Sequence, residues 1–235
     1  DDQGNWIPPY SLSSNINTAS NEGTCTISAD GKILILTSCQ GRGSLGSCDL
    51  YISFREGNDW SRPVNLGPNV NSQHWDSQPS LSADGRKLYF VSERPGGIGG
   101  RDIWLSQLNE NNEWLPAVNL GNSINTERDE VSPFIHVNGQ ALFFASKGYP
   151  GFGGYDLFMS ELTNGEWSVP KNLGYPVNTP EDQISLFVTT SGDRAYYSLD
   201  SYDRSGLPLS FIYSFEMPPE ISVSNRSFYV KGTIR

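Results

Sequence analysis

Short runs of aliphatic, aromatic and β-branched residues alternate with turn residues along the chain. In residues 80–107 (SLSADGRKLYFVSERPGGIGGRDIWLSQ), apolar runs lie on both sides of an Asp-Gly turn, and another follows a glycine-rich loop. Runs of this length bounded by Gly, Asn, Asp and Pro are typical of β-strands joined by turns. The Asp-Gly pairs at residues 30–31 and 84–85 predict tight hairpins. Convincing helical periodicity is absent, so the pattern predicts an all-β protein.

One phrase recurs four times at a nearly constant period. Its tryptophans are spaced by 54, 54 and 53 residues, and each is followed by a leucine six positions on and an asparagine eleven positions on. The tryptophans are Trp6, Trp60, Trp114 and Trp167. Four short strands in a repeat of about 50 residues are typical of a propeller blade. The sequence therefore predicts a β-propeller of four-stranded antiparallel blades, with four repeats visible.

The two ends of the chain leave the number of blades open. Residues 1–5 resemble the turns that precede the later tryptophans, so the chain begins with the outermost strand of a blade. In a closed four-bladed ring, the strand at Trp6 would complete the last blade beside Phe211–Phe215. Alternatively, the four repeats belong to a five- or six-bladed propeller. We assign residues 1–218 to the propeller and 219–235 to a linker and the first strand of a following β-domain.

Charge and histidine content narrow the possible functions. Sixteen Lys and Arg against 26 Asp and Glu give a formal net charge of −10, which disfavours a nucleic-acid surface. No apolar run approaches the roughly 20 residues of a transmembrane helix, so direct membrane insertion of these residues is not expected. The only histidines are His74 and His136, in different segments, which argues against histidine-based metal or triad chemistry. We expect no metal and no cofactor.

The repeat resembles a known family. The phrase SADGRKLYFVSER followed by GGRDIW is similar to the WD40-like propeller repeats of bacterial periplasmic proteins. The W-x-x-P-x-N-L-G element and the Val-Asn or Ile-Asn pair that follows narrow the resemblance to OmpA-family outer-membrane lipoproteins of Bacteroidetes, including one attached to the type IX secretion machinery. In that family, tetratricopeptide repeats precede the propeller, and carboxypeptidase-regulatory-like and OmpA-like domains follow it.

The resemblance implies a location and a role. It implies a periplasmic propeller associated with the outer membrane, with envelope proteins as partners and peptidoglycan reached only through a domain outside these residues. Together with the lack of a catalytic constellation, it leads to the expectation of a non-enzymatic protein-interaction scaffold. Two alternatives stay open: a glycan hydrolase using acids such as Asp76, Glu130 or Glu181, and a peptide- or cation-binding module that uses the axial channel.

The long connections predict a binding face. In a propeller, the loop between the second and third strands emerges on the same face as the linker between blades, and here both are long. Loops on a rigid scaffold are the usual place for binding, and aromatic and Arg side chains concentrate binding energy. The candidates are His74, Trp75, Arg94, Arg101, Arg128, Tyr149, Phe152, Tyr155 and Tyr202. For any one of them, packing between blades is the simpler interpretation.

Several repeated or paired residues have structural interpretations. Asp49, Asp102 and Asp156 occupy equivalent places at strand starts, with Ser210 in the fourth copy, and we expect them to accept hydrogen bonds that fix the loops. The tryptophans are expected to cover blade-to-blade contacts. Cys39 and Cys48 lie at the two ends of one loop, where a disulfide can form between antiparallel neighbours. Cys25 is left over and is expected to be a buried core residue.

Overall fold

The protein folds as a four-bladed β-propeller with almost no helix. The structure, a computed structural model, describes residues 7–41, 43–202, 205–221 and 223. Trp6 and the strand predicted at 227–234 therefore lie outside the described residues. Each blade is an antiparallel sheet whose first strand lines the central axis, as the repeat predicts.

The first two blades contain nine strands. Blade 1 consists of β1 (Asn21–Ile27), β2 (Ile33–Cys39), β3 (Cys48–Glu56), β4 (Asp59–Trp60) and β5 (Val64–Asn65). Blade 2 consists of β6 (Asp76–Leu81), β7 (Lys87–Ser92), β8 (Asp102–Gln107) and β9 (Val118–Asn119). The outermost strand of each blade is short because the chain bends between the tryptophan and the Val-Asn pair, and in blade 1 both pieces pair with β3.

The remaining strands form the third and fourth blades. Blade 3 consists of β10 (Glu130–Ile135), β11 (Ala141–Ser146), β12 (Asp156–Thr163), β13 (Glu166–Trp167) and β14 (Lys171–Asn172). Blade 4 consists of β15 (Ile184–Val188), β16 (Arg194–Tyr202) and β17 (Pro208–Glu216), followed by a 3-10 turn at Pro219–Ile221. The long connection expected between the second and third strands is shorter in blade 4, because β16 and β17 continue pairing as far as Tyr202 and Pro208.

Tight hairpins connect the first and second strands of every blade. Gly31, Gly85, Gly139 and Gly192 have φ between 68° and 72°, a conformation that glycine adopts without steric cost. In blade 2 the Ser82 hydroxyl accepts hydrogen bonds from the Lys87 amide, and Asp84 accepts one from the Arg86 amide. The short turns of the sequence therefore all emerge on one face of the propeller, which we call the short-turn face.

Three apolar interfaces join successive blades within the described residues. Phe90 and Trp104 of blade 2 pack against Ile35 and Leu50 of blade 1. Two further clusters join blade 2 to blade 3 and blade 3 to blade 4. Because both faces of the middle blades are covered, all six side chains of β11 are buried.

The recurring asparagines lock each linker onto the blade it leaves. The Asn71 side chain accepts a hydrogen bond from the Leu50 amide at 2.8 Å and donates one to the Leu50 carbonyl at 2.9 Å. Asn125 makes the same pair with Ile103, and Asn178 makes it with Leu157. These side chains imitate the pairing of a neighbouring strand, which explains the asparagine in each repeat.

Candidate functional site

Buried aspartates organise the face opposite the short turns, which we call the loop face. Asp49, fully buried at the start of β3, accepts hydrogen bonds from the Leu45 amide at 2.6 Å and from the Gly46 amide at 3.1 Å. The Asn65 side chain donates a third at 2.7 Å. The loop between β2 and β3 is therefore folded around one carboxylate.

Blade 2 repeats this arrangement. Asp102 accepts from the amides of Ile98 and Gly99 and from the Asn119 side chain, the last at 2.9 Å. A Cβ on Gly99 would lie 1.9 Å from the Arg128 carbonyl oxygen of the next linker. The glycine-rich loop thus lies directly on the linker that leads into blade 3.

Blade 3 keeps the loop but changes the contacts of the carboxylate. Asp156 accepts from the Phe152 amide at 2.9 Å and the Gly153 amide at 3.1 Å through one oxygen. The Asn172 side chain donates instead to the Pro150 carbonyl at 3.2 Å. In the described part of the chain, the buried Oδ1 of Asp156 has no hydrogen-bond partner.

Two of the arginines proposed for binding make contacts within the fold. The Arg94 guanidinium lies 2.7 Å from the Asp76 carboxylate and stacks over the rings of Phe90 and Trp104. Arg101 lies 2.9 Å from the Glu93 carboxylate and stacks over the ring of Trp75 at 4.8 Å. In this structure, Arg94 and Trp75 contribute to the packing of the loop face.

Two of the three tyrosines proposed for binding, Tyr149 and Tyr155, are also held by neighbours. The Tyr149 hydroxyl donates to the Ser123 and Ile124 carbonyls, each at 3.3 Å. The Tyr155 hydroxyl donates to Asp129 at 3.2 Å, and the Lys147 ammonium lies 4.2 Å from the centre of its ring. Burial, with nearby acidic charge, raises the pKa of both tyrosines to about 12.

Three of the remaining residues proposed for binding have exposed side chains. His74 and Arg128 are exposed in the linkers, and Phe152 is 54% exposed at the tip of its loop. Tyr202 ends β16, and its side chain lies outside the described part of the structure. The prediction therefore contains both exposed residues and residues that the fold itself uses.

Sequence analysis overlooked the exposed leucine in the equivalent loop of blade 1. Leu45, Ile98 and Phe152 each stand four residues before a buried aspartate and donate their amide to it. Leu45 is 44% exposed and Ile98 is partly exposed. In blade 4 the corresponding loop exposes Leu207. Leu45, Ile98 and Phe152 each directly precede a glycine, a pattern that is visible in the sequence. We call these three residues the apolar loop tips.

The acids considered for glycan hydrolysis are held by hydrogen bonds within the fold. Asp76 accepts from the amide and hydroxyl of Ser72 in addition to its contact with Arg94. Glu130 is fully buried and accepts from Thr126 and Ser146; burial raises its pKa despite these hydrogen bonds. Glu181 is exposed and accepts from the Thr179 hydroxyl.

The fourth member of this acidic series is a glutamine. In blade 4 the Thr179 amide donates at 3.0 Å to Gln183, and not to the adjacent Asp182, as the Thr126 amide does to Glu130. Asp182 instead accepts from the Tyr155 amide, in the place that Asp129 has beside Arg101. Both a charged Glu130 and a neutral Gln183 can therefore hold the linker that precedes the inner strand.

The inner strands enclose an axial cavity of about 540 Å³. Each of β1, β6, β10 and β15 contributes the half that leads into its short turn, together with a residue of the turn itself. The cavity therefore opens on the short-turn face. Asp76, Glu130 and Glu181 are not among the residues that line it.

The cysteines adopt two different states. Cys39 and Cys48 form a disulfide across the ends of β2 and β3. Cys25 was expected to be a buried core residue, and this is wrong: it is exposed in β1 and lines the axial cavity. Partial desolvation by the cavity wall raises the pKa of its thiol.

The tryptophans pack against other blades or linkers. Trp60 is buried with Leu34, Leu36 and Tyr51, and its carbonyl accepts a hydrogen bond from the Asn15 side chain. Trp167 meets Tyr89 of blade 2 edge-on, with ring centres 6.2 Å apart. Trp114 packs on the interface between blades 1 and 2.

Neither a metal cluster nor a membrane-spanning helix is found in the residues that the structure describes. No group of three or more His, Cys, Asp or Glu side chains is placed there to bind a metal ion. The same residues contain no helix of the length and hydrophobicity needed to cross a membrane.

Comparison with known proteins gives the fold. No protein-family model and no curated protein matches the chain. Among solved structures, TolB from Acinetobacter baumannii matches with a TM-score of 0.57 at 13% identity, over 89% of this chain and 44% of that one. The chain thus spans less than half of that TolB. It shares a propeller fold with TolB-like proteins.

Structures of enzymes with propellers also match, at lower similarity. The periplasmic gluconolactonase PpgL of Pseudomonas aeruginosa matches at 14% identity and a TM-score of 0.42, over 83% of this chain and 57% of that one. The α-L-arabinofuranosidase PaAbf62A of Podospora anserina matches at 12% identity and 0.44, over 77% and 59%. The expectation that the protein is not an enzyme is therefore contradicted, because propeller enzymes are among its structural neighbours. The fold by itself does not show an activity either.

Proposed function

We propose that this propeller is a protein-interaction module that docks partners through the apolar loop tips. The observation that carries the proposal is the exposure of Leu45 and Phe152 on loops that buried aspartates hold in place. Preformed loops lose little conformational entropy on binding, so the exposed apolar area contributes more of its burial energy to affinity. Ile98 lies between them in chain order and extends the surface.

The cellular setting is part of the same proposal. The repeat phrase resembles those of OmpA-family lipoproteins, and this supports a periplasmic module in an outer-membrane-associated assembly of the type IX secretion kind. The partners would be envelope proteins, and peptidoglycan would be bound by a domain outside these residues.

The test compares two double variants in intact envelopes. Leu45→Ser with Phe152→Ser removes the exposed tips, and Val64→Ser with Val169→Ser removes valines that are even more exposed, on the outer rim of the propeller. Crosslinking followed by mass spectrometry should identify partners joined to Lys147 in the wild type, lose them in the first variant and retain them in the second. Equal recovery from both variants would contradict docking through the loop tips.

A further inference from the structure

The axial cavity opens on the short-turn face, opposite the loop tips. Its volume of about 540 Å³ lies within the 300–1,000 Å³ typical of ligand sites. Most of the residues that line it are apolar, and among these Ile27, Phe134 and Phe187 have accessible side chains. Such walls favour an apolar occupant, because burying apolar surface away from water is the main source of binding energy.

The inner end of the cavity is polar and is built before any ligand binds. The Thr24 hydroxyl accepts a hydrogen bond from the Gln78 amide at 3.1 Å, and the Gln78 side chain accepts one from the Ser132 amide at 2.7 Å. Gln78 and Ser132 have positive φ within β-bulges, as does Ser185 of blade 4. These hydrogen bonds connect three blades, so the inner end is fixed by the fold.

Small residues surround the entrance. Ala29, Ala83, Val137 and Thr190 stand at equivalent positions in the four short turns and line the cavity. None of these side chains is long enough to close the opening. An extended peptide can therefore enter from the short-turn face without a rearrangement of the turns.

Three of the four short turns at the entrance also carry an aspartate. Asp30 and Asp84 follow Ala29 and Ala83 directly, and Asp193 lies three residues after Thr190. Burial disfavours ionisation of Asp84, but hydrogen bonds from the Ser82 hydroxyl and the Arg86 amide outweigh it and lower its pKa. The Ser191 hydroxyl likewise lowers the pKa of Asp193. Asp84 and Asp193 therefore keep their negative charges well below neutral pH.

The outer turns of this face add acid to short turns that also carry cations. The Lys32 ammonium lies 4.0 Å from the Asp30 carboxylate, Lys87 lies near Asp84 and Arg194 lies near Asp193. The turns after β8 and β12 carry Glu110, Glu113 and Glu161. The Arg86 guanidinium is directed to the outer turn of its own blade, where it donates to the carbonyls of Leu108 and Asn109. The short-turn face thus presents an apolar cavity whose entrance carries carboxylates and cations, and the outer turns around it add further negative charge.

We propose that the axial cavity binds an extended peptide segment of a partner protein in which apolar residues are flanked by lysine or arginine. The apolar residues would fill the walls between Ile27 and Phe134, and the basic residues would lie against Asp30, Asp84 and Asp193. The site is separate from the loop tips, so the two proposals succeed or fail independently.

The test uses two synthetic peptides and the free thiol as a reporter. The probe is acetyl-Lys-Leu-Pro-Val-Phe-Lys-amide, and the matched control replaces both lysines by glutamate. Binding is measured by calorimetry and by protection of Cys25 from iodoacetamide, since Cys25 lines the cavity and is the free cysteine. The lysine peptide should bind and slow alkylation, and the glutamate peptide should do neither.

Two sets of variants locate the binding. The triple change Asp30→Asn, Asp84→Asn and Asp193→Asn should weaken the lysine peptide about fivefold, because each exposed ion pair contributes little. Asn138 fills the equivalent place in blade 3 and accepts hydrogen bonds from the Gln140 and Ala141 amides, so the turns tolerate asparagine. Ala83→Arg, which blocks the entrance, should abolish binding.

Three results would overturn the proposal. They are equal binding of the two peptides, binding without protection of Cys25, and unchanged affinity in a folded Ala83→Arg protein. As a control for position, the Leu45→Ser, Phe152→Ser protein should bind the lysine peptide with unchanged affinity. A loss of peptide binding in that variant would place the peptide on the loop face and would also count against the proposal.

Discussion

The middle blades and the terminal blades share one sequence phrase but differ in burial. The inner strands of blades 2 and 3, β6 and β10, are largely buried, whereas most of β1 is exposed. In blade 4, Phe211, Ile212 and Tyr213 of β17 are all more than 40% exposed. The repeat therefore specifies contacts with a neighbouring blade, and the same positions remain exposed where that neighbour is not among the described residues.

The asparagines show this dependence most directly. Asn71, Asn125 and Asn178 each pair with a backbone segment of the blade before them. Asn17 is the equivalent residue at the start of the chain, and its side chain accepts from Leu12 within its own segment instead. Leu12 is 42% exposed, while its counterpart Leu173 is 5% exposed. The first linker has adopted local contacts in place of those between blades.

The largest difference in the loss of stability is expected between aromatic residues of the middle blades and those of the terminal blades. Phe90 is fully buried between blades 1 and 2, so Phe90→Ala should lower the free energy of unfolding by about 4 kcal/mol. Phe211→Ala should cost about 0.5 kcal/mol, because the side chain is already half exposed. Urea denaturation followed by tryptophan fluorescence measures both. Similar losses would show that β17 is covered in solution.

A second comparison concerns the buried aspartates. Asp102→Ala leaves the amides of Ile98 and Gly99 and the Asn119 side chain without their acceptor, a loss of about 3 kcal/mol. Asp156→Ala should cost about 1 kcal/mol less, because Asn172 does not donate to Asp156 and one oxygen is already unpaired. Thermal unfolding of the two variants ranks them. A larger loss at Asp156 would mean that its free oxygen has a partner in solution.

The disulfide should contribute slightly less to stability than the hydrogen bonds to Asp102. Cys39 and Cys48 are nine residues apart, and closing a loop of this size in the unfolded chain contributes about 2.5 kcal/mol. The Cys39→Ser, Cys48→Ser protein should unfold at correspondingly lower urea, and the wild type in reductant should match it. Retained stability in both would indicate that hydrogen bonds to Asp49 alone fix this loop.

The smallest effect on stability is expected for Glu130, and it should depend on pH. The pKa of Glu130 is raised in the folded state, so its contribution to stability is greatest in acid and falls as pH rises through that folded pKa. Glu130→Gln should therefore gain stability relative to wild type as pH increases from 4 to 7. Gln183 already makes the corresponding contacts in blade 4. A difference that does not change with pH would contradict the assigned cause.

Sequence analysis predicted the fold well because the repeat period is set by local turns and strand lengths. It predicted the strands and the short turns, and it identified the loop whose ends the disulfide joins. It could not separate Arg94, held by Asp76, from exposed Arg128, because both are arginines in similar loops. It also placed Cys25 in the core, since an apolar residue in an inner strand gives no indication that the axis is hollow.

The glycines of the long loops have a consequence at the level of the gene. The loop of each blade and the linker beyond it meet at one pair of positions, such as Gly99 against Arg128. In a protein with a second copy of residues 61–114 inserted after Trp114, the Gly99 loop of the first copy would meet the linker around His74 of the second, as the Gly46 loop of blade 1 meets that linker here. Such a protein should gain a blade through a single in-frame event, because the contact between a loop glycine and the next linker recurs at each junction. The number of blades can therefore evolve by copying DNA rather than by redesign of contacts.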